Sequence, residues 1–376
     1  MKVLICGTKY GQTYLSLFLK ETPGFELAGI LARGSEQSRK FADGFKVPLY
    51  TDTDQLPSDI DIACVAVRAT IMGGDGTRLA LALMDRGIHV IQEHPLHPGD
   101  VRKCLDRAKH NGVSYHINSH FLNLEPVETF MDYLKKAMVH ETPLYIEAST
   151  SLSYSLLDIL GNVMGGLAPY GFSKAVTWDE ALTARNSQKV IPFQCLQGII
   201  SGVPLTLKFQ NFYDSKTEMD DSLLLLHRIC VGLPSGNLTL LNPHGPIIWS
   251  IGHVIQKYGG PEILFGKDKN RVNTKDKDAM PTAISFSPPT APSWDDIVTR
   301  HWPRGILTAL NKMKTEIQTT NPCPGQEPAY LMELSQAWMT LTRSFGTPNF
   351  TRLKPPGEPK PDPREYQKTC FAPMIP

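Results

Sequence analysis

Lys2-Val3-Leu4-Ile5-Cys6-Gly7-Thr8-Lys9-Tyr10-Gly11-Gln12 decides how the first third of the chain folds. A short apolar run enters a glycine turn, and Gln12 to Lys20 then carries an apolar stripe at helical spacing. A strand that turns through glycine into a helix opens a βαβ unit. The alternation continues outward to about residue 120. Strand-like runs are read at Phe25 to Leu31, Ile60 to Val67, Ile88 to Gln92 and Val113 to Asn118. Helices are read between them at Glu36 to Phe45, Thr77 to Arg86 and Asp100 to Asn111. This order predicts an α/β Rossmann domain, a doubly wound parallel sheet covered by helices, over residues 1–122.

Past Leu124 the pattern changes. Helices at Pro126 to Met138 and Leu156 to Met164 flank a strand at Leu144 to Thr150. Strand-like runs follow near Lys174 to Arg185, Pro192 to Ile200, Val203 to Phe212, Leu238 to Leu241 and Pro246 to Ser250. Two more helices are read at Trp294 to Lys314 and Ala329 to Arg343. Gathered strands with helices to either side predict a C-terminal α+β domain with a mostly antiparallel sheet over residues 123–350. Its outer face is a candidate dimer surface. Gly259 to Pro292 reads as a long loop, and 351–376 as an extended C-terminal tail.

Bulk composition fits two domains, because 376 residues exceed what one core usually holds and 41% are hydrophobic. Lys plus Arg (38) nearly cancels Asp plus Glu (37), and no basic stripe with interleaved aromatics appears, which argues against nucleic acid. The N-terminal apolar run is too short for a signal peptide and nothing is long enough to span a bilayer, so a cytoplasmic protein is expected. Cys6, Cys64, Cys104, Cys195, Cys230, Cys323 and Cys370 are scattered singly, as reduced thiols are, without metal-site spacing.

Against the dinucleotide fingerprint Gly-x-Gly-x-x-Gly, Gly7 fits, while Lys9 and Gln12 take the second and third glycine positions. Position strengthens this partial match, since it lies at the first strand-to-helix junction. Gly7, Thr8, Lys9, Tyr10 and Gly11 are therefore read as the pyrophosphate turn. The second strand ends in Leu31-Ala32-Arg33-Gly34-Ser35, without the acid that would hold a ribose 2′-hydroxyl. Arg33, Ser35, Ser38 and Arg39 offer instead the donors a 2′-phosphate takes, which points to NADP(H).

Gly87 to Gln92 reads as a strand, and Glu93-His94-Pro95-Leu96-His97-Pro98 follows at its carboxyl end. Ligands of open α/β sheets bind outside such ends. His94 titrates near neutrality and can supply the proton that reduction of C=N or C=O requires.

With these motifs and the following α+β domain, the chain resembles the Gfo/Idh/MocA oxidoreductases. Most of that family carry Glu-Lys-Pro with a catalytic lysine, whereas this chain has His94 there. Within it, the sequence is similar to the thiazolinyl imine reductases of siderophore assembly lines. The similarity runs through Gly7 to Gly11, Val65-Ala66-Val67-Arg68-Ala69-Thr70, Gly73-Gly74-Asp75-Gly76-Thr77, Val90 to Pro98, Tyr154 to Asp158, Leu226-His227-Arg228 and Gly245 to Ser250. The resemblance implies hydride transfer from NADPH to the C=N carbon of a thiazoline carried on a nonribosomal peptide synthetase carrier protein. It also implies a homodimer. Arg68, Ala69, Thr70 and Glu93 would then lie at the cofactor, and Phe121, Tyr154, Asp158 and His227 at the substrate. Family proton donors include a histidine at position 94 and a tyrosine after the sixth strand, but the residue aligned with that tyrosine is Phe121. His94 ranks first as acid and His120 second. Asp158 reads equally as a helix N-terminal charge. A sugar or cyclitol dehydrogenase and a catalytically silent NADP-binding scaffold are the competing readings; Lys9, Gln12 and Phe121 favour the latter.

Overall fold

The structure, a computed structural model, describes residues 1–187, 191–214, 223–252, 281–286, 290–351, 359 and 361–365. Six strands, β1 (Lys2–Cys6), β2 (Glu26–Leu31), β3 (Leu49–Tyr50), β4 (Ile62–Val65), β5 (His89–Glu93) and β6 (Tyr115–Asn118), form a parallel sheet in the order β3-β2-β1-β4-β5-β6. All four residues of β4 and four of the five in β1 are buried, because helices cover both sheet faces. The chain winds one way through β2 and β3, then returns to place β4 on the other side of β1. That reversal opens a crevice at the carboxyl ends of β1 and β4.

The two-residue β3 is too short to show a periodicity and was not expected. The first helix is also tighter than its pattern predicts: α1 (Gly11–Leu15) passes into a 3₁₀ turn at Ser16–Leu19. Helices α2 (Glu36–Phe45), α3 (Gly76–Asp85) and α4 (Pro98–Asn111) follow. His97 starts α4 as its cap, its Nδ1 accepting the Gly99 N–H at 3.0 Å, and Pro98 fills the first turn.

β6 ends the sheet, so the outer edge of its backbone lacks a partner strand. The Gln326 carboxamide supplies one. Its Oε1 accepts the Ile117 N–H at 2.9 Å and its Nε2 donates to the Ile117 carbonyl at 3.1 Å. Gln326→Leu keeps the bulk and strands both backbone groups, so we expect a loss of about 1–3 kcal/mol. Chemical denaturation measures this; an unchanged midpoint would mean that water replaces the amide.

The second domain is built on an eight-stranded sheet of β7 (Tyr145–Thr150), β8 (Gly171–Phe172), β9 (Gln194–Ile200), β10 (Val203–Phe209), β12 (His227–Leu233), β13 (Gly236–Leu240), β14 (Ile247–Ile251) and β15 (Ala283–Ser285). All its neighbours are antiparallel except β7 and β10. β11 (Phe212–Asp214) pairs separately with β16 (Asn349–Thr351). Burial alternates strictly along β10, so one face packs inward and the other is exposed. The helices are α5 (Glu125–Ala137), α6 (Ser153–Met164), α7 (Glu180–Ala184), α8 (Trp302–Thr319) and α9 (Pro328–Phe345). One continuous core joins Leu83 and Val101 under the first sheet to Ile146 and Leu156 of the second domain.

Three expectations are corrected. Lys174 to Arg185 is not a strand: Asp179 caps α7 by accepting the Ala181 and Leu182 N–H groups at 2.8 and 3.2 Å, leaving among the described residues only a bridge from Val176 to Cys195. The loop read over Gly259 to Pro292 is interrupted by β15, which pairs with β14; its residues 259–280 and 287–289, and most of the C-terminal tail, lie outside the described residues. The helix read from Trp294 begins as one turn, passes through a π turn at Ile297–His301 and becomes regular only in α8. No helix among the described residues is long and apolar enough to cross a membrane.

Candidate active site

The β1–α1 turn is shaped by Gly7. Its φ is +91°, and a Cβ there would lie 2.8 Å from the Ala66 carbonyl oxygen at the end of β4. Glycine therefore draws this turn flat against the crevice. Beyond β4, Gly74 and Gly76 run so close to the chain that a Cβ would meet the Arg68 and Val67 oxygens at 2.1 and 2.2 Å. Their N–H groups bond the Ala69 and Arg68 carbonyls at 3.1 and 2.8 Å. Arg68, Ala69 and Thr70 thus form, with the glycine segment, one backbone ledge beside the turn. Thr8 is buried, Lys9 exposed, and the Tyr10 ring meets Tyr14 and His120 edge-on at 6.4 and 6.1 Å.

At the end of β2, Gly34 turns with φ +77° and Ser35 caps α2. Ser38 is buried and its hydroxyl donates to the Ser35 carbonyl at 2.8 Å, so it serves the cap. Arg33, Ser35 and Arg39 are exposed, and among the described residues neither guanidinium has a carboxylate partner. The glycine cradle and these unpaired cations suit a dinucleotide with its phosphates.

Register sets Glu93 of β5 beside Asn118 of β6. His94 follows, with Nδ1 at 3.1 Å from the Asn118 carbonyl and 3.4 Å from a Glu93 carboxylate oxygen. A carbonyl only accepts, so Nδ1 carries a hydrogen and Nε2 is left for a ligand. Burial works against the imidazolium, but the hydrogen bond and charge of Glu93, the Asn118 carbonyl and the Asp158 charge outweigh it, and the His94 pKa is raised. Glu93 is itself held by the Tyr14 hydroxyl and by Asn118 Nδ2 at 3.0 Å. Asn118 also donates to the Tyr14 oxygen at 2.7 Å, while its Oδ1 accepts from the His120 N–H and Asn123 Nδ2, each at 3.1 Å.

The second domain closes the site. Tyr154 of α6 places its ring 5.4 Å from that of His94, and its buried hydroxyl has no hydrogen-bond partner among the described residues. Asp158 lies in mid-helix rather than at an N-terminus. Its carboxylate accepts from Ser119 at 2.6 Å, Tyr330 at 2.8 Å and Asn162 at 2.9 Å, while burial raises its pKa. Both ring nitrogens of His227 are satisfied, Nδ1 by Thr150 at 2.9 Å and Nε2 by Ser155 at 3.0 Å. Burial first, then the nearby histidines, lowers its pKa to about 3. It is a neutral strut against Phe121, whose ring lies 5.0 Å away. His120 is likewise buried and neutral, its pKa lowered to about 3 by burial and then by the His94 and His244 charges. A side chain this hard to protonate is a poor source of an imidazolium proton at neutral pH.

Sequence reasoning missed Tyr14, Asn118, Ser119 and Trp302. Asn118 had a usable signal, because it stands at a strand's carboxyl end, the rule that selected His94. Tyr14 had none beyond helical spacing.

Comparison with known proteins agrees with this layout. Residues 1–119 match the oxidoreductase family with the NAD-binding Rossmann fold. Residues 141–250 match the C-terminal region of Irp3-like thiazolinyl imine reductases. No curated protein matches the sequence. Among solved structures, an oxidoreductase from Agrobacterium radiobacter in complex with NAD+, L-tartaric acid and magnesium is 12% identical, over 90% of this chain and 96% of that one, with TM-score 0.63. Biliverdin reductase from Synechocystis in complex with biliverdin and NADP+ is 14% identical over 92% and 99%, with TM-score 0.59. UDP-N-acetylglucosamine 3-dehydrogenase from Acidithiobacillus ferrooxidans is 11% identical over 92% and 97%, with TM-score 0.61. At such identities the likeness is one of fold. Residues 1–119 thus belong to the Gfo/Idh/MocA oxidoreductases and residues 141–250 to the Irp3-like C-terminal family, which makes the chain an NAD(P)-dependent oxidoreductase.

Proposed function

We propose that the protein uses NADPH to reduce the C=N bond of a thiazoline to a thiazolidine, on a substrate carried by a nonribosomal peptide synthetase carrier protein in siderophore biosynthesis. The observation that carries this reading is His94, with Nδ1 held by Asn118 and Glu93 and Nε2 unbonded among the described residues. Reducing a C=N bond requires hydride at carbon and a proton at nitrogen. Bound in the crevice, NADPH supplies the hydride. His94 supplies the proton from Nε2, and the C=N π electrons become the nitrogen–hydrogen bond. Glu93 orients the ring and favours its imidazolium, as the third group does in nucleophile–base triads. Phe121 has no proton to give, so the work falls to His94. The Irp3-like second domain supports the thiazoline.

The test offers NADPH with a carrier-bound thiazoline, a small thiazoline thioester and common sugars and cyclitols, and follows absorbance at the nicotinamide band and product mass. A gain of two hydrogens on the thiazoline alone is expected. NADP-linked oxidation of a sugar overturns the reading, as does NADPH binding with no turnover of any compound.

NADPH is preferred over NADH in this reading because Arg33 and Arg39 meet the 2′-phosphate. Arg33→Ala with Arg39→Ala should weaken NADPH binding about 10- to 100-fold, the worth of one or two charge-assisted hydrogen bonds. NADH binding should hold. Titration with each cofactor checks this, and equal losses would place the arginines elsewhere. The same reading has two copies pair through the second-domain sheet; a monomer in sedimentation at micromolar concentration would remove that part.

A further inference from the structure

Lys312 of α8 is half-buried, and desolvation works against its ammonium and lowers its pKa. Among the described residues no carboxylate lies within ion-pair distance of it. An ammonium taken out of water without a carboxylate costs stability, so what it does hold is informative. Lys312 lines a small cavity at the end of β6 together with Asn118, Ser119 and Asn123.

There the ammonium starts a line of hydrogen bonds that ends at His94. Nζ donates to Asn123 Oδ1 at 2.6 Å, Asn123 Nδ2 to Asn118 Oδ1 at 3.1 Å, and Asn118 Nδ2 to Glu93 Oε1 at 3.0 Å. The other Glu93 oxygen lies 3.4 Å from His94 Nδ1. Both amides are buried. A carboxamide has an acceptor end and a donor end, whereas an ammonium only donates and a carboxylate only accepts. The two ends therefore fix the direction of the line, with every donor aimed from Lys312 toward Glu93. Hydrogen bonds in series polarise one another, so a cation at one end strengthens the donor that reaches the carboxylate at the other.

We propose that Lys312 is a positioning residue for the His94 acid: its ammonium directs the Asn123 and Asn118 amides so that Glu93 stays an ionised, oriented partner of the imidazole. A second route runs through charge, since Lys312 opposes the effect of burial on Asp158, and Glu93 and Asp158 are the carboxylates that favour the His94 imidazolium. His120 and His227 beside them are neutral. On the far side Glu128 of α5 favours the ammonium and Lys135 opposes it, while Arg304 and Glu125 act on Glu128. Among the described residues none of these four touches the two amides. Removing the ammonium weakens the ionisation of both carboxylates, so the His94 pKa should fall. Direct repulsion between Lys312 and His94 runs the other way and is weaker, because the charges acting on His94 are those of Glu93 and Asp158. The inference rests on His94 as the acid of the proposed reduction, but its test needs no substrate, so failure of one reading is distinct from failure of the other.

The test is a pH titration of the full chain followed by NMR on isotope-labelled histidine, the His94 signal being the one lost in His94→Phe. Lys312→Met should titrate His94 at lower pH than wild type. Lys312→Arg keeps both the cation and the donor and should stay at the wild-type value. Lys312→Gln keeps a donor without the charge and should fall with Lys312→Met; it decides alone should the methionine variant not fold. A His94 pKa unmoved or raised in the neutral variants overturns the proposal. An equal fall in Lys312→Arg overturns it as well, since that marks an effect of packing and not of the ammonium.

Discussion

His94→Phe should lower turnover about 10²- to 10⁴-fold, the usual worth of a positioned general acid, while NADPH binding is retained. Phenylalanine keeps an aromatic ring against Tyr154, 5.4 Å away in the native site, so packing changes little and the proton is what is lost. A second readout is pH. The acid must carry its Nε2 proton, so the wild-type rate is full below the His94 pKa and falls as pH rises through it. Burial lowers that pKa, but Glu93, the Asn118 carbonyl and Asp158 together raise it above 6.5, so the descending limb should begin above the ordinary histidine range. The limb should vanish in His94→Phe. Single-turnover rates across pH measure both effects. An unchanged rate, or the same limb without the histidine, removes His94 from the chemistry.

Why His94 was legible and its supports were not follows from what each residue contributes. His94 is recognised by residue type and position, a titratable ring at a strand's carboxyl end, and a local pattern holds both facts. Asn118 acts on His94 through its backbone carbonyl, which no sequence distinguishes from any other. Tyr14 reaches Glu93 from α1 across 79 positions of sequence, a contact that exists only once α1 packs on β5. His120 was visible as a candidate acid, but its charge state depends on burial under Trp302, 182 positions later, and that turned it from a proton source into a neutral ring. The same division holds for the fold. Long periodic segments such as β10 and α4 could be read, whereas β3, with two residues, had no period to show. At Lys174 to Arg185 the apolar residues Val176, Trp178 and Leu182 imitate a strand, yet they are exposed, and the local cap at Asp179 wins.

The glycine turn shows how structure reorders a motif. Gly7 and Gly11 were both read into the pyrophosphate turn, Gly7 at the first fingerprint position and Gly11 at one that the pattern leaves open. Geometry separates them. At Gly11 a Cβ would find Ile5 Cγ2 at 3.5 Å, Ala66 Cβ at 3.7 Å and the Cys6 oxygen at 3.9 Å, which are ordinary contacts, and the residue opens a helix where alanine is favoured over glycine. At Gly7 a Cβ would press the Ala66 oxygen at 2.8 Å and Val67 Cγ2 at 3.1 Å, with a φ of +91° that side-chain-bearing residues rarely adopt. The positive φ and the overpacking each cost about 1–3 kcal/mol, and the pressed atom is backbone, so relief requires the turn to lift away from β4. Gly7→Ala should therefore reduce cofactor affinity by about 10²-fold or more, or prevent the first domain from folding, through those same costs. Gly11→Ala should leave affinity and stability close to wild type. Titration with NADPH and thermal unfolding of both variants decide it. Equal tolerance at the two positions would mean that the turn moves freely, and that the cradle inferred from Gly7 does not hold the cofactor.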